Sequence, residues 1–77
     1  MTLYEFEALN LNEKADAVWR GAFLADREED GRRIQLYSLP GCYVEVFYDT
    51  EANKIVEFRA FSNTQRLAPY LAQINFI

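Results

Sequence analysis

The chain has 77 residues, of which 51% are hydrophobic, 16% aromatic and 26% charged; this is the composition of one soluble globular domain and excludes intrinsic disorder. Twelve acidic residues against eight basic ones give a formal net charge of −4, the opposite of what a phosphate backbone attracts, so no nucleic acid is expected as a partner. A single cysteine, Cys42, and the absence of histidine exclude an internal disulfide, a multi-cysteine zinc site and the usual general base near neutral pH.

Charges interrupt Met1 through Trp19 every few residues, which is incompatible with a signal-peptide core. Nor is any apolar run long enough to cross a bilayer, so the expected location is cytoplasmic, with no membrane partner. Residues 3 to 19 read as helical in two pieces. Thr2 with Glu5 and Asn10 with Glu13 both have capping-box spacing. After the second cap, Leu11, Ala15, Val18 and Trp19 form one apolar stripe, and Gly21 is a helix stop.

Turn signals at Asp30-Gly31, Pro40-Gly41 and Asn53-Lys54 then cut the chain into four strands, roughly 22–28, 32–39, 43–49 and 54–61. In the last hairpin, Asn53 in a left-handed conformation sets Tyr48 opposite Val56, Val46 opposite Phe58, and Val44 opposite Ala60. The reverse side then pairs Glu45 with Arg59 and Tyr43 with Phe61. The middle hairpin admits two registers. A two-residue loop at Pro40-Gly41 places Leu36 on the side of Glu45, whereas a one-residue bulge aligns Ile34 and Leu36 with Val44 and Val46. The apolar pattern favours the bulge. A helix over roughly 64–75 closes the chain, with Leu67, Leu71 and Ile74 as its stripe and Pro69 delaying its regular part.

The expected fold is a single α+β domain over residues 1–77: an N-terminal helical segment, a four-stranded antiparallel meander and a C-terminal helix, with the helices on one face. The core on that face comprises Phe23, Ile34, Leu36, Val44, Val46, Val56 and Phe58, closed by Val18, Trp19, Leu67, Leu71 and Ile74. The other face carries Tyr37, Tyr43, Glu45, Phe47, Glu57, Arg59 and Phe61. Uncovered aromatics on this sheet read as scattered surface rings, as a self-complementary dimer face or as a platform for a ligand or peptide, and a contiguous apolar patch on a small domain favours the dimer face. An aromatic sheet is also how some RNA-binding domains stack bases, but Glu45 and Glu57 among these rings argue against it.

No pattern points to chemistry. Cys42 follows a Pro-Gly turn without a base to activate it, so it reads as a structural thiol. Glu45 and Glu57 lack the cleft that paired-carboxylate catalysis needs, and Glu45–Arg59 reads as a cross-strand ion pair. Arg27, Arg32 and Arg33, balanced by Glu28, Glu29 and Asp30, read as solvated charges around a turn. No catalytic residue, metal site or cofactor is expected.

Five strings, Tyr4-Glu5-Phe6, Val18-Trp19, Phe23-Leu24-Ala25-Asp26-Arg27, Tyr43-Val44-Glu45-Val46 and Ala68-Pro69-Tyr70-Leu71, resemble those of a family of small bacterial cytosolic proteins with no assigned activity. The resemblance covers most of the chain. It implies a bacterial, cytosolic origin and transfers no site or substrate. The functional expectation is a non-enzymatic protein-interaction module that forms a homodimer through the aromatic face. The alternative is an acidic inhibitor or adaptor occupying a basic surface of another macromolecule.

Overall fold

Both capping boxes form. In the computed structural model, which describes residues 1–71, Thr2 and Asn10 each accept from the backbone N–H three residues on, and Glu5 and Glu13 reach back to the cap N–H. These reciprocal bonds satisfy orphan donors and start two short helices, α1 (Leu3–Glu7) and α2 (Leu11–Arg20). Gly21 ends α2, and a side chain there would meet the Ser38 carbonyl oxygen at 2.7 Å.

Strands β1 (Ala22–Glu29), β2 (Arg32–Leu39), β3 (Cys42–Asp49) and β4 (Lys54–Phe61) follow as an antiparallel meander in the order β1-β2-β3-β4. Asp30 and Gly31 both take positive φ, 51° and 77°, as a type I′ hairpin requires. Asn53 takes the left-handed conformation, φ 55°, and Asp49 Oδ1 accepts from the Glu51 and Ala52 N–H groups to close the last turn. In this hairpin Val46–Phe58, Val44–Ala60, Glu45–Arg59 and Tyr43–Phe61 pair as expected. The turn end differs. Tyr48 faces Ile55, and Val56 is the extra residue of a bulge.

The middle hairpin corrects the expected register. Leu39 pairs with Cys42 around a two-residue Pro40-Gly41 loop, so Leu36 lies opposite Glu45 and Ile34 opposite Phe47. The bulge sits instead in β1, at Leu24. The physical reason is that both sides of the sheet are buried, so apolar residues need not gather on one. Val44 and Val46 pack with Phe6 and Val18 beneath the N-terminal helices. Leu36, Ala25 and Phe61 pack with Leu67 and Tyr70 on the opposite side.

The helices therefore lie on two faces, not one. The C-terminal element is a 3-10 helix over Thr64–Tyr70, capped by Asn63, and it forms a strap across the side away from α1 and α2. Pro69 lies inside it, where the missing N–H suits a short irregular helix better than a long regular one. The rest of the expected 64–75 helix, including Ile74, lies outside the described residues. Several expected core residues are at the surface: Phe23, Trp19, Val56 and Leu71 are all exposed, while Phe6 is fully buried.

The N-terminus is tied to the middle turn. The Met1 ammonium donates to the Pro40 carbonyl oxygen at 2.7 Å, and Gly41 sits against this segment with φ 95°. A methyl group at Gly41 would stand 2.2 Å from the Met1 carbonyl oxygen, whereas one at Gly31 would meet nothing within 4 Å. Gly31→Ala therefore costs only backbone strain, about 1 kcal/mol. Gly41→Ala adds a steric clash with backbone and is expected to cost about 3 kcal/mol. Urea denaturation of the two variants measures the difference.

Candidate functional site

Two surfaces compete for the role of functional site, and the register decides what each contains. On the strap side, the centre of β3 presents Glu45, which is only 4% exposed. An isolated carboxylate buried this deeply is costly, and it is retained only with partners. Tyr70 Oη donates to Glu45 Oε2 at 2.6 Å. Arg27 Nη2 from β1 donates to the same oxygen at 3.3 Å, and Arg66 Nη2 from the strap stands 3.6 Å from Oε1. One carboxylate thus clasps an edge strand and the strap together.

Three guanidinium groups extend this arrangement over the aromatic rings. Arg27 lies 5.4 Å from the Tyr70 ring centroid, Arg66 5.0 Å from that of Phe61, and Arg59 4.9 Å from that of Phe47, all within cation–π range. Burial works against the Arg27 charge, but the Tyr70 oxygen, Glu29 and Glu45 more than offset it and lift its pKa. Arg27 Nε remains buried without a hydrogen-bond partner among the described residues. Arg59, although opposite Glu45 in the ladder, bonds its own-strand neighbour Glu57 at 2.7 Å. The expected Glu45–Arg59 ion pair is replaced by the clasp.

The aromatic face expected from sequence is accordingly divided and covered. Tyr37 lies on the helix side, paired with Phe23 and Val44. Phe47 is 6% exposed, and Phe61 is buried with Tyr43 stacked on it at 5.6 Å. Glu57 and Arg59 alone remain substantially exposed at the side chain. Sequence reasoning missed Tyr70, Arg27 and Arg66 as partners of Glu45. The two-residue Pro40-Gly41 loop was the signal for them, since it places Glu45 beside Leu36 and diagonal to Arg27.

The helix side is covered only in part, over the cluster of Phe6, Val18, Val44 and Val46. Trp19, half-exposed at 50%, meets the Tyr37 ring edge-on at 5.6 Å, and Phe23, 54% exposed, meets the same ring edge-on at 5.6 Å. Beside α2 runs a groove of about 340 Å³ lined by Trp19, Val46, Tyr48 and Ile55, with Arg33 and Gln35 at its polar end. Arg33 is engaged by Asp26 and Glu28. The bulge beyond the groove exposes Val56 as well. The positions expected to close the core, Trp19 and Val56, are therefore part of the surface.

The groups with reactive potential are held in unreactive states. Burial pushes the Cys42 thiol pKa up, which disfavours the nucleophilic thiolate. Among the described residues no cluster of three or more acidic or cysteine side chains has metal-binding geometry, and no helix is long and apolar enough to cross a membrane. Compared with protein-family models, curated proteins and solved structures, the chain matches none.

Two outcomes test the clasp. Phe47→Arg places a charge in a packed site and is expected to prevent folding, seen as loss of the cooperative transition and of near-ultraviolet circular dichroism. Tyr70→Phe removes one donor to a buried carboxylate at little steric cost and is expected to lower stability by about 1.5–3 kcal/mol. Burial and the Glu45 carboxylate raise the Tyr70 pKa above its ordinary value. The unfolded phenol ionises near pH ~10, so above that pH the unfolded chain loses a proton that the folded chain keeps. This contribution is present below the unfolded pKa and is lost as pH rises above it. The alkaline fall in denaturation midpoint is expected to be shallower in Tyr70→Phe.

Proposed function

We propose that the protein is a non-enzymatic interaction module that self-associates, and that the helix side of its sheet meets the second copy. The observation that carries this reading is the distribution of exposed apolar groups. The strap, with Arg66 and with Arg27 and Arg59 from the outer strands, covers the rings of the opposite face, while Trp19, Phe23, Ile55 and Val56 stand exposed along the helix side, with a groove between Trp19 and Ile55. Contiguous apolar surface of this kind on a small domain marks a contact region, and rigidly held Trp and Tyr side chains are its favoured anchors. Trp19 is held in this way against Tyr37.

The assignment of a binding rather than a catalytic role rests on the state of the reactive groups. Glu45 has its oxygens occupied by Tyr70, Arg27 and Arg66, which leaves it poorly placed to take a substrate proton. Cys42 is buried, and that burial raises its thiol pKa and disfavours the thiolate. The cytosolic, bacterial setting that the sequence resemblance implies fits a small module without disulfides.

Light scattering over a wide concentration range tests the reading. The wild type is expected to approach twice the mass of one chain. Ile55→Asp, at an exposed position, is expected to keep the fold and return the mass to that of a monomer. A wild-type chain that stays monomeric throughout the range overturns the proposal.

A further inference from the structure

The sheet has two outer strands, β1 and β4, neither of which has a second strand partner among the described residues. A free edge can pair with the same edge of another copy about a two-fold axis perpendicular to the sheet. In that geometry directly opposed residues must lie on the same face. Strand residues alternate between faces, so the two residue numbers of each pair must sum to an even number, and the axis passes through a single residue. Each edge then offers a short menu of registers, and charge selects among them.

The charged half of β1 rejects every such register. An axis at Asp26 sets Asp26 against its copy, one at Arg27 sets Asp26 against Glu28, and one at Glu28 sets Glu28 against its copy. Like charges directly opposed destabilise a ladder. On β4 an axis at Glu57 or at Arg59 brings a residue against its own like-charged copy. An axis at Phe58 does the opposite. It sets Glu57 against Arg59 and Arg59 against Glu57, with Phe58 on its own copy and Val56 on Ala60.

We infer that two copies of this chain join edge to edge through β4, antiparallel and centred on Phe58, making one continuous eight-stranded sheet. Glu57 and Arg59 already pair within the strand at 2.7 Å with exposed side chains, so the joint completes a four-charge checkerboard without burying an unpaired group. The Val56 bulge ends the pairing at 56–60. The same symmetry brings the second copy to the Ile55 and Val56 part of the helix-side surface, at the edge away from Trp19 and Phe23. Phe6 of α1 packs in the cluster that Phe58 and Ala60 join, and Ala60 of one copy faces Val56 of the other. Helix α1 of the second copy, with its exposed Tyr4, therefore comes alongside Val56 and Ile55 of the first. This inference rests on the self-association proposed above and specifies where it occurs.

The test is a charge exchange read by solution mass. Glu57→Arg and Arg59→Glu each turn both cross-strand pairs repulsive, and each alone is expected to weaken the dimer by about tenfold or more. Mixed in equal amounts, the two variants bring an edge with arginine at both positions against an edge with glutamate at both. Each cross-strand pair is then attractive again, and the mixture is expected to regain dimer that neither variant forms. No effect confined to one chain produces that recovery. Hydrogen exchange on the wild type supplies a reading without substitution: amide protection across residues 56–60 is expected to rise with protein concentration. A wild-type dimer that tolerates both single variants, or shows no concentration-dependent protection in β4, overturns the β4 joint and leaves self-association standing. A wild type that is monomeric overturns both.

Discussion

The structure depends on how one buried carboxylate is satisfied. Glu45 stands in the middle of β3, an interior strand, with its side chain almost wholly out of water. Desolvating a carboxylate costs more than a single apolar contact returns, so the fold must bring donors to it. They come from two directions: Arg27 on the outer strand β1, and Tyr70 with Arg66 on the strap. Meeting that requirement places the strap across this face, and Leu67 and Tyr70 then bury Leu36, Ala25 and Phe61 beneath it. Charge satisfaction and apolar burial thus act through the same residues.

This arrangement explains why arginine recurs on the strap side. Arg27, Arg59 and Arg66 each lie over an aromatic ring while a carboxylate engages the guanidinium. A planar guanidinium can lie on a ring and still donate in its own plane, which an ammonium cannot. A short strap provides limited apolar cover, and the arginine side chains extend it. The result is a sheet buried on both sides at its centre, with Val44 and Val46 facing one layer and Glu45 and Phe47 the other.

Local chemistry made most of the elements legible in the sequence. The two capping boxes, the Asp30-Gly31 hairpin, the left-handed Asn53 and four pairs of the last hairpin all follow from short-range rules, and all are present. What escaped was long-range. The register between β2 and β3 turned on an assumption that apolar residues share one face, and Cys42-Tyr43-Val44-Glu45-Val46-Phe47 argues against that assumption. Such a nearly unbroken apolar run is the mark of a strand buried on both sides. Once both sides are buried, the simple loop at Pro40-Gly41 and the side of the strap both follow. The bulges at Leu24 and Val56 were hidden because an extra residue leaves no compositional signal in strands this rich in apolar residues.

Element lengths account for the surface left uncovered. Eight-residue strands span roughly 27 Å, while the ten residues of α2 span roughly 15 Å and the five of α1 about half of that. Tied at one end by Gly21 and by the Met1 ammonium on Pro40, these helices cover the Pro40-Gly41 end of the sheet and stop short of the other. The chain places charges along the uncovered part of β1, yet leaves Tyr48, Ile55 and Val56 at the corresponding end of β3 and β4. If that end faced only water, polar residues there would cost nothing in folding and would guard the edge against unwanted pairing. A charged edge on one side and an apolar, charge-alternating edge on the other is the asymmetry that the proposed β4 joint requires, one edge avoiding a second copy and the other meeting it.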